Sequence, residues 1–134
     1  MVAYIAVVED EPELRSLYCL VLKSSGYDIS FSASGVEEAV RAYESSLVKP
    51  ALVIMDVRLT DGSGIDAAEK ILSLHPSARF LFATADADVL TGIITPGSIG
   101  VLQKPFSLRE FLDSIRKALS SSCPPYLPQY PGYA

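Results

Sequence analysis

The sequence predicts an α/β fold built on five parallel strands, and three observations carry that reading. Short apolar runs alternate with amphipathic stretches along the chain. Acidic, Gly, Ser or Pro residues follow most of the runs, as they follow buried strands. The length, 134 residues, is room for one domain and not comfortably two. Strands alternating with helices imply a parallel sheet covered on both faces, assembled from right-handed crossovers.

The elements follow in order. The apolar runs are Ala3 to Val8, Ile29 to Phe31, Ala51 to Met55, Phe80 to Ala83 and Gly100 to Leu102. Leu14, Leu17, Tyr18, Val21 and Leu22 fall on one helical stripe, which Pro12 opens at a position where a first-turn proline is tolerated. Gly26 stands behind it as a stop. Val36, Ala39, Val40 and Tyr43 repeat the spacing, and Ile65, Ala68 and Leu72 make a shorter version. The last stripe is Leu108, Phe111, Leu112, Ile115 and Leu119, with Ser107 and Glu110 arranged as a capping box before it. Between Asp88 and Gly100, residues Gly92, Pro96 and Gly97 interrupt the pattern, so a short or distorted fourth helix is expected there.

A folded domain is expected over residues 1–121. The remainder, 122–134, is rich in Pro and Tyr and carries four of the nine prolines, so an extended, polyproline-like or disordered appendage is expected. Tyr126, Tyr130 and Tyr133 could anchor a partner, but a mobile tail is the simpler reading.

Composition excludes several classes. Hydrophobic residues make up 49% and charged residues 20%, an ordinary globular balance. No apolar run approaches the roughly 20 residues of a membrane-spanning helix, and Met1 to Ile5 carries no basic flank of a secretory signal. The net charge of −5 repels phosphate backbones, so direct nucleic-acid binding by this domain is not expected. Two cysteines, Cys19 and Cys123, stand far apart in no metal-type spacing, which favours a reduced protein in the cytoplasm over a disulfide. A single His, His75, cannot build a histidine metal cage and stands before Pro76 at a helix end.

In open parallel sheets, ligand sites gather at the carboxyl ends of the strands. The first strand ends in Glu9-Asp10, the third in Asp56, the fourth in Thr84 and the fifth in Lys104-Pro105. Each has a plain alternative, since acids after a strand often cap the next helix. Together they bring three carboxylates, a hydroxyl and an ammonium to one rim. Close carboxylates repel unless a cation joins them, and a hard ion such as Mg²⁺ takes one or two carboxylates, carbonyls and waters. Asp56 ends the run Leu52 to Met55, so one oxygen can meet the cation while the other serves as a nucleophile. Phosphoryl transfer needs mainly positioning and charge neutralisation, which Lys104, Thr84 and the cation would supply.

With those residues placed, VVEDE, IMDVRLTDGSG, FATAD and LQKPF resemble the receiver domain of two-component response regulators, over about Ala3 to Leu119. The resemblance implies a flavodoxin-like, doubly wound sheet of order 2-1-3-4-5. It implies Asp56 as phospho-acceptor and Glu9, Asp10 and Asp56 as Mg²⁺ ligands, joined by the backbone carbonyl of Arg58. By the same resemblance Thr84 and Lys104 would contact the phosphoryl group, and Pro105 would fix the Lys104 loop, often through a cis peptide bond. The donor it implies would be a sensor histidine kinase, a histidine phosphotransfer protein or a small acyl phosphate. Such a domain is not an enzyme beyond assisting its own phosphorylation and dephosphorylation, and it acts by protein contact.

Departures from the family pattern carry expectations of their own. Thr60 replaces a frequent proline, which should loosen that loop slightly. Val101 stands where the family usually carries Tyr or Phe, a ring that swings inward as the Thr84 hydroxyl moves. Val has no ring to swing, which implies a different or reduced displacement, or a partner on another surface. Arg58 and Asp86, each two residues past a site residue, are expected to pair across the site mouth and slow hydrolysis, against two solvated side chains as the alternative. Two other classes compete with the receiver reading. A phosphorylation-independent binding module has no need of all five site residues, and an Asp-nucleophile phosphatase would carry its Asp-x-Asp-x-Thr motif after the first strand.

Overall fold

Every residue of the strand Leu52–Asp56 is buried, and the rest of the molecule is layered around it. A computed structural model describes residues 2–86 and 97–120. The elements are β1 (Tyr4–Val8), α1 (Pro12–Ser24), β2 (Asp28–Ala33), α2 (Val36–Ser45), β3 (Leu52–Asp56), β4 (Arg58–Leu59), β5 (Gly62–Ser63), α3 (Gly64–Leu74), β6 (Phe80–Thr84), β7 (Ser98–Gln103) and α4 (Leu108–Ser120). The five long strands form one parallel sheet in the order β2-β1-β3-β6-β7. Counting long strands alone, that is 2-1-3-4-5, the flavodoxin-like order expected. The antiparallel hairpin β4–β5 is an addition that the sequence reading lacked. Of the distorted helix expected between Asp88 and Gly100, the part up to residue 96 lies outside the described residues, as do the Pro/Tyr tail and Cys123, and from Ser98 onward the chain is already strand β7.

Alternation along the strands divides the core in two. Ala6, Val8, Val53, Met55, Phe80 and Phe82 point to one face, where Ala39 and Tyr43 of α2 and Ala67, Ala68 and Ile71 of α3 cover them. Ile5, Val7, Leu52, Ile54 and Leu81 point to the other, under Tyr18 and Leu22 of α1 and Phe111, Ile115 and Ala118 of α4. Each fully buried Leu, Ile or Phe side chain contributes about 1.5–3 kcal/mol. Two residues of the expected stripes, Leu17 and Leu108, are exposed instead. Both lie toward the start of their helices, at the sheet's carboxyl rim.

Helix boundaries follow local chemistry. Pro12 opens α1, as expected. The helix ends where Gly26 takes φ +96°, so that the Tyr27 amide reaches the Leu22 carbonyl and the Gly26 amide that of Lys23. Ser107 and Glu110 cap α4 reciprocally: the Glu110 amide donates to Ser107 Oγ at 3.1 Å, and the Ser107 amide to Glu110 Oε1 at 3.0 Å. Among the described residues no helix is long and apolar enough to cross a membrane.

Candidate functional site

Because the long strands are parallel, their carboxyl ends share one rim, and the chain leaves β1 toward opposite sides through β2 and β3. The crevice at that switch point is where a doubly wound sheet binds its ligands. Among the described residues the buried polar or charged ones are Glu9, Asp56, Thr84 and Ser98, and the first three stand at this rim. Buried charge that is left unpaired is costly, so their partners matter.

Glu9 is held through both backbone and side chain. Its amide donates to the Ala33 carbonyl at 3.0 Å, and Arg15 Nη1 donates to its carbonyl at 2.8 Å. One carboxylate oxygen accepts from the Glu11 amide at 3.2 Å and the other from Lys104 Nζ at 3.0 Å. Lys104 Nζ also stands 3.2 Å from Asp56 Oδ2, so two buried carboxylates share one ammonium. Asp10 is half-buried, and its Oδ2 accepts from Thr60 Oγ1 at 3.0 Å. Glu9, Asp10 and Asp56 each offer an oxygen within 4.8 Å of the others. All three carboxylates expected from the sequence therefore meet.

Burial pushes the Asp56 carboxyl up from 3.8 to about 6, with the Glu9 charge adding to the rise and Lys104 opposing it. Burial alone would lower the Lys104 ammonium, but its hydrogen bond to Glu9 and the charges of Asp56 and Glu9 outweigh that and raise it. Tyr18, behind the lysine, is raised by burial and packs on Phe106 and Phe111 with ring centres 5.8 and 4.9 Å away. That aromatic stack backs the Lys104–Pro105 turn, whose peptide bond is cis, as the resemblance implied.

Thr84 ends β6 one position beyond Ala83, the register partner of Asp56. Its Oγ1 accepts from the Asp86 amide at 3.1 Å, which leaves the hydroxyl proton to donate elsewhere. The Lys104 amide donates to the Thr84 carbonyl at 2.8 Å, tying two site residues together through the backbone. Asp56 is confined from above as well: a Cβ on Gly64 would run into the Asp56 carbonyl oxygen. Arg58 Nη2 and Asp86 Oδ2 pair at 2.6 Å across the mouth, the geometry expected of them. Val101 is half-buried opposite Phe82 and packs on the α2–α3 side of the sheet.

Three features were not foreseen. Thr60 was expected to loosen its loop, yet its hydroxyl ties that loop to Asp10. Asp61 caps α2, accepting from the Val36 amide at 2.8 Å and the Glu37 amide at 3.3 Å. Arg15 props the Glu9 carbonyl. The partners lie 50, 25 and 6 residues apart, so only the last is close enough for a local sequence pattern to suggest. His75 caps the far end of α3 and pairs with Glu44 at 2.7 Å, away from the rim. Cys19 is half-buried on α1 with its thiol pushed up by burial, as packing rather than reactivity requires.

A model of the response regulator receiver domain matches residues 5–116, which takes in every one of these site residues. The chain belongs to that family. Among curated relatives, this receiver is 35% identical over 117 residues to the transcriptional regulatory protein PdtaR of Mycobacterium tuberculosis, covering 87% of this chain and 56% of that one. It is 33% identical to the probable transcriptional regulatory protein TcrX of the same organism, covering 86% and 49%. The receiver thus spans about half the length of these relatives. Among solved structures, the non-phosphorylated HemR receiver domain of Leptospira biflexa aligns with TM-score 0.78 at 33% identity, covering 91% of this chain and 98% of that one. The response regulator TrrA of Thermotoga maritima, solved in complex with Mg²⁺–BeF, aligns with TM-score 0.76 at 28% identity, covering 87% and 98%.

Proposed function

We propose that this receiver accepts a phosphoryl group on Asp56 and that Glu9, Asp10 and Asp56, with the backbone carbonyl of Arg58, hold the Mg²⁺ that the reaction uses. The observation that carries the reading is the contact of one ammonium, Lys104, with two buried carboxylates, Glu9 and Asp56, while Asp10 completes an oxygen cluster within 4.8 Å. The donor set fits: hard oxygens suit a hard cation, and three acids against one lysine leave negative charge for a divalent ion to neutralise. When bound, Mg²⁺ supplies charge neutralisation at the phosphoryl oxygens. TrrA, solved with Mg²⁺–BeF, supports the same chemistry for a relative.

An Asp56 oxygen attacks phosphorus, and the bond to the donor breaks. The electron pair leaves on the donor's imidazole nitrogen when the donor is phosphohistidine, or on its carboxylate oxygen when it is a small acyl phosphate. Lys104 gives up its contact with Asp56 to stabilise a phosphoryl oxygen. The Thr84 hydroxyl, its lone pair engaged by the Asp86 amide, donates to another. The Arg58–Asp86 pair narrows the mouth and slows the water that would hydrolyse the product. The partner upstream is a sensor histidine kinase or histidine phosphotransfer protein, the location is cytoplasmic, and the output is a protein contact. With Val101 in place of a ring, the displacement that reports phosphorylation is reduced or falls on another surface.

Incubating the protein with Mg²⁺ and a small acyl phosphate tests the reading by intact mass. One phosphoryl adduct on the wild type, absent from Asp56→Asn and absent when EDTA is present, is the expected result. An adduct that survives in Asp56→Asn would remove the assignment.

A further inference from the structure

The acids of the cluster are not held alike. Glu9 and Asp56 both meet Lys104, whereas the side-chain donor on Asp10 is the neutral hydroxyl of Thr60, 3.0 Å from Oδ2. A neutral donor fixes a carboxylate without cancelling its charge, and it engages one oxygen while leaving the second for a cation. Such partners orient ligands in metal sites and set affinity.

Thr60 is itself exposed, so the bond has value only if the backbone beneath it is fixed. It is. Thr60 stands in the turn of the β4–β5 hairpin, and the residues around it are anchored in three directions. Arg58 pairs with Asp86 at 2.6 Å, and Asp61 accepts from the amides of Val36 and Glu37. The Gly64 amide closes the hairpin base on the Val57 carbonyl at 2.7 Å. Gly35 leaves the Asp61 carboxylate its place, since a Cβ there would stand 2.6 Å from Oδ1. A hydroxyl on so tethered a turn loses little entropy when it bonds Asp10.

We infer that Thr60 is a positioning residue for the divalent cation: its hydroxyl holds Asp10 in the rotamer that completes the oxygen cluster with Glu9 and Asp56. The inference rests on the metal reading given under Proposed function, and it concerns the cation's affinity.

Titrating the metal alone tests it, with Mg²⁺ followed by calorimetry and Mn²⁺ by electron paramagnetic resonance, on wild type, Thr60→Val, Thr60→Ser and Asp10→Ala. Thr60→Val should weaken both cations about tenfold, the lower end of what an orienting partner carries, while Thr60→Ser keeps the wild-type affinity. In an Asp10→Ala background, Thr60→Val should cost nothing further, because the hydroxyl acts only through that carboxylate. Unmoved amide resonances of Val36 and Glu37 report that the hairpin is still anchored. Unchanged or tighter binding by Thr60→Val overturns the inference, as does Thr60→Ser binding no better than Thr60→Val. If wild type and Asp10→Ala bind the cations equally poorly, the metal reading itself fails and the inference falls with it.

Discussion

Lys104 Nζ lies 3.0 Å from Glu9 Oε1, joining the end of the last strand to the end of the first across 95 positions of sequence. Lys104 therefore cross-links the sheet's rim as well as serving the proposed chemistry. Lys104→Met leaves Glu9 and Asp56 buried without their cation. The expected loss is about 2 kcal/mol, below the full cost of breaking a buried pair because the ammonium is partly solvated. Urea unfolding near neutral pH measures it. The loss should shrink below the Asp56 pKa of about 6, where one of the two acids is neutral.

Asp56 makes the fold's stability depend on pH in a stated direction. Its carboxyl titrates near 6 in the folded protein against 3.8 ordinarily, chiefly because it is buried. The folded state therefore binds the proton more tightly than the unfolded one, and stability falls as pH rises from about 4 through about 6. Asp56→Asn removes that penalty. It should raise stability by about 1–2 kcal/mol near neutral pH, after allowance for solvent screening, and by nothing below the ordinary carboxylate range. Unfolding curves across pH check this, and saturating Mg²⁺ should flatten the wild-type dependence by favouring the carboxylate.

The Arg58 side chain is 77% exposed although it pairs closely with Asp86. An exposed pair contributes about 0–1 kcal/mol, so Arg58→Ala should leave the unfolding midpoint nearly unchanged. The phosphoryl group should be lost several-fold faster, because water gains the mouth of the site. A time course of intact mass after removal of the donor reads that lifetime, and an unchanged decay would remove the shielding role.

Gly64 and Gly26 separate two uses of glycine. At Gly64 a Cβ meets the Asp56 carbonyl and comes 2.8 Å from Met55 Cγ. Gly64→Ala should cost about 3 kcal/mol, since the Asp56 backbone must move. Nothing stands within 4 Å of a Cβ at Gly26, but its φ of +96° disfavours one, and Gly26→Ala should cost about 1 kcal/mol. Parallel urea titrations give both values, and only the first variant should also impair phosphoryl acceptance.

The elements and the rim were legible because local rules carry them. Strand ends are punctuated by the acids and the lysine themselves, Gly26 and Ser107 mark helix boundaries, and parallel strands bring those ends together. The short hairpin β4–β5 was not legible, because two-residue strands have no periodicity. Thr60 and Asp61 escaped for a different reason. Their partners, Asp10 and the amides of α2, are distant in sequence and are chosen by tertiary geometry. Leu17 and Leu108 satisfied a helical stripe that the fold leaves uncovered at the rim.

Reducing the phosphorylated protein with borohydride and sequencing its peptides by mass spectrometry locates the acceptor most directly. Borohydride converts an aspartyl phosphate to homoserine, so the account predicts homoserine at position 56 and at no other carboxylate. Homoserine at position 10, or at another aspartate with position 56 unmodified, would contradict it.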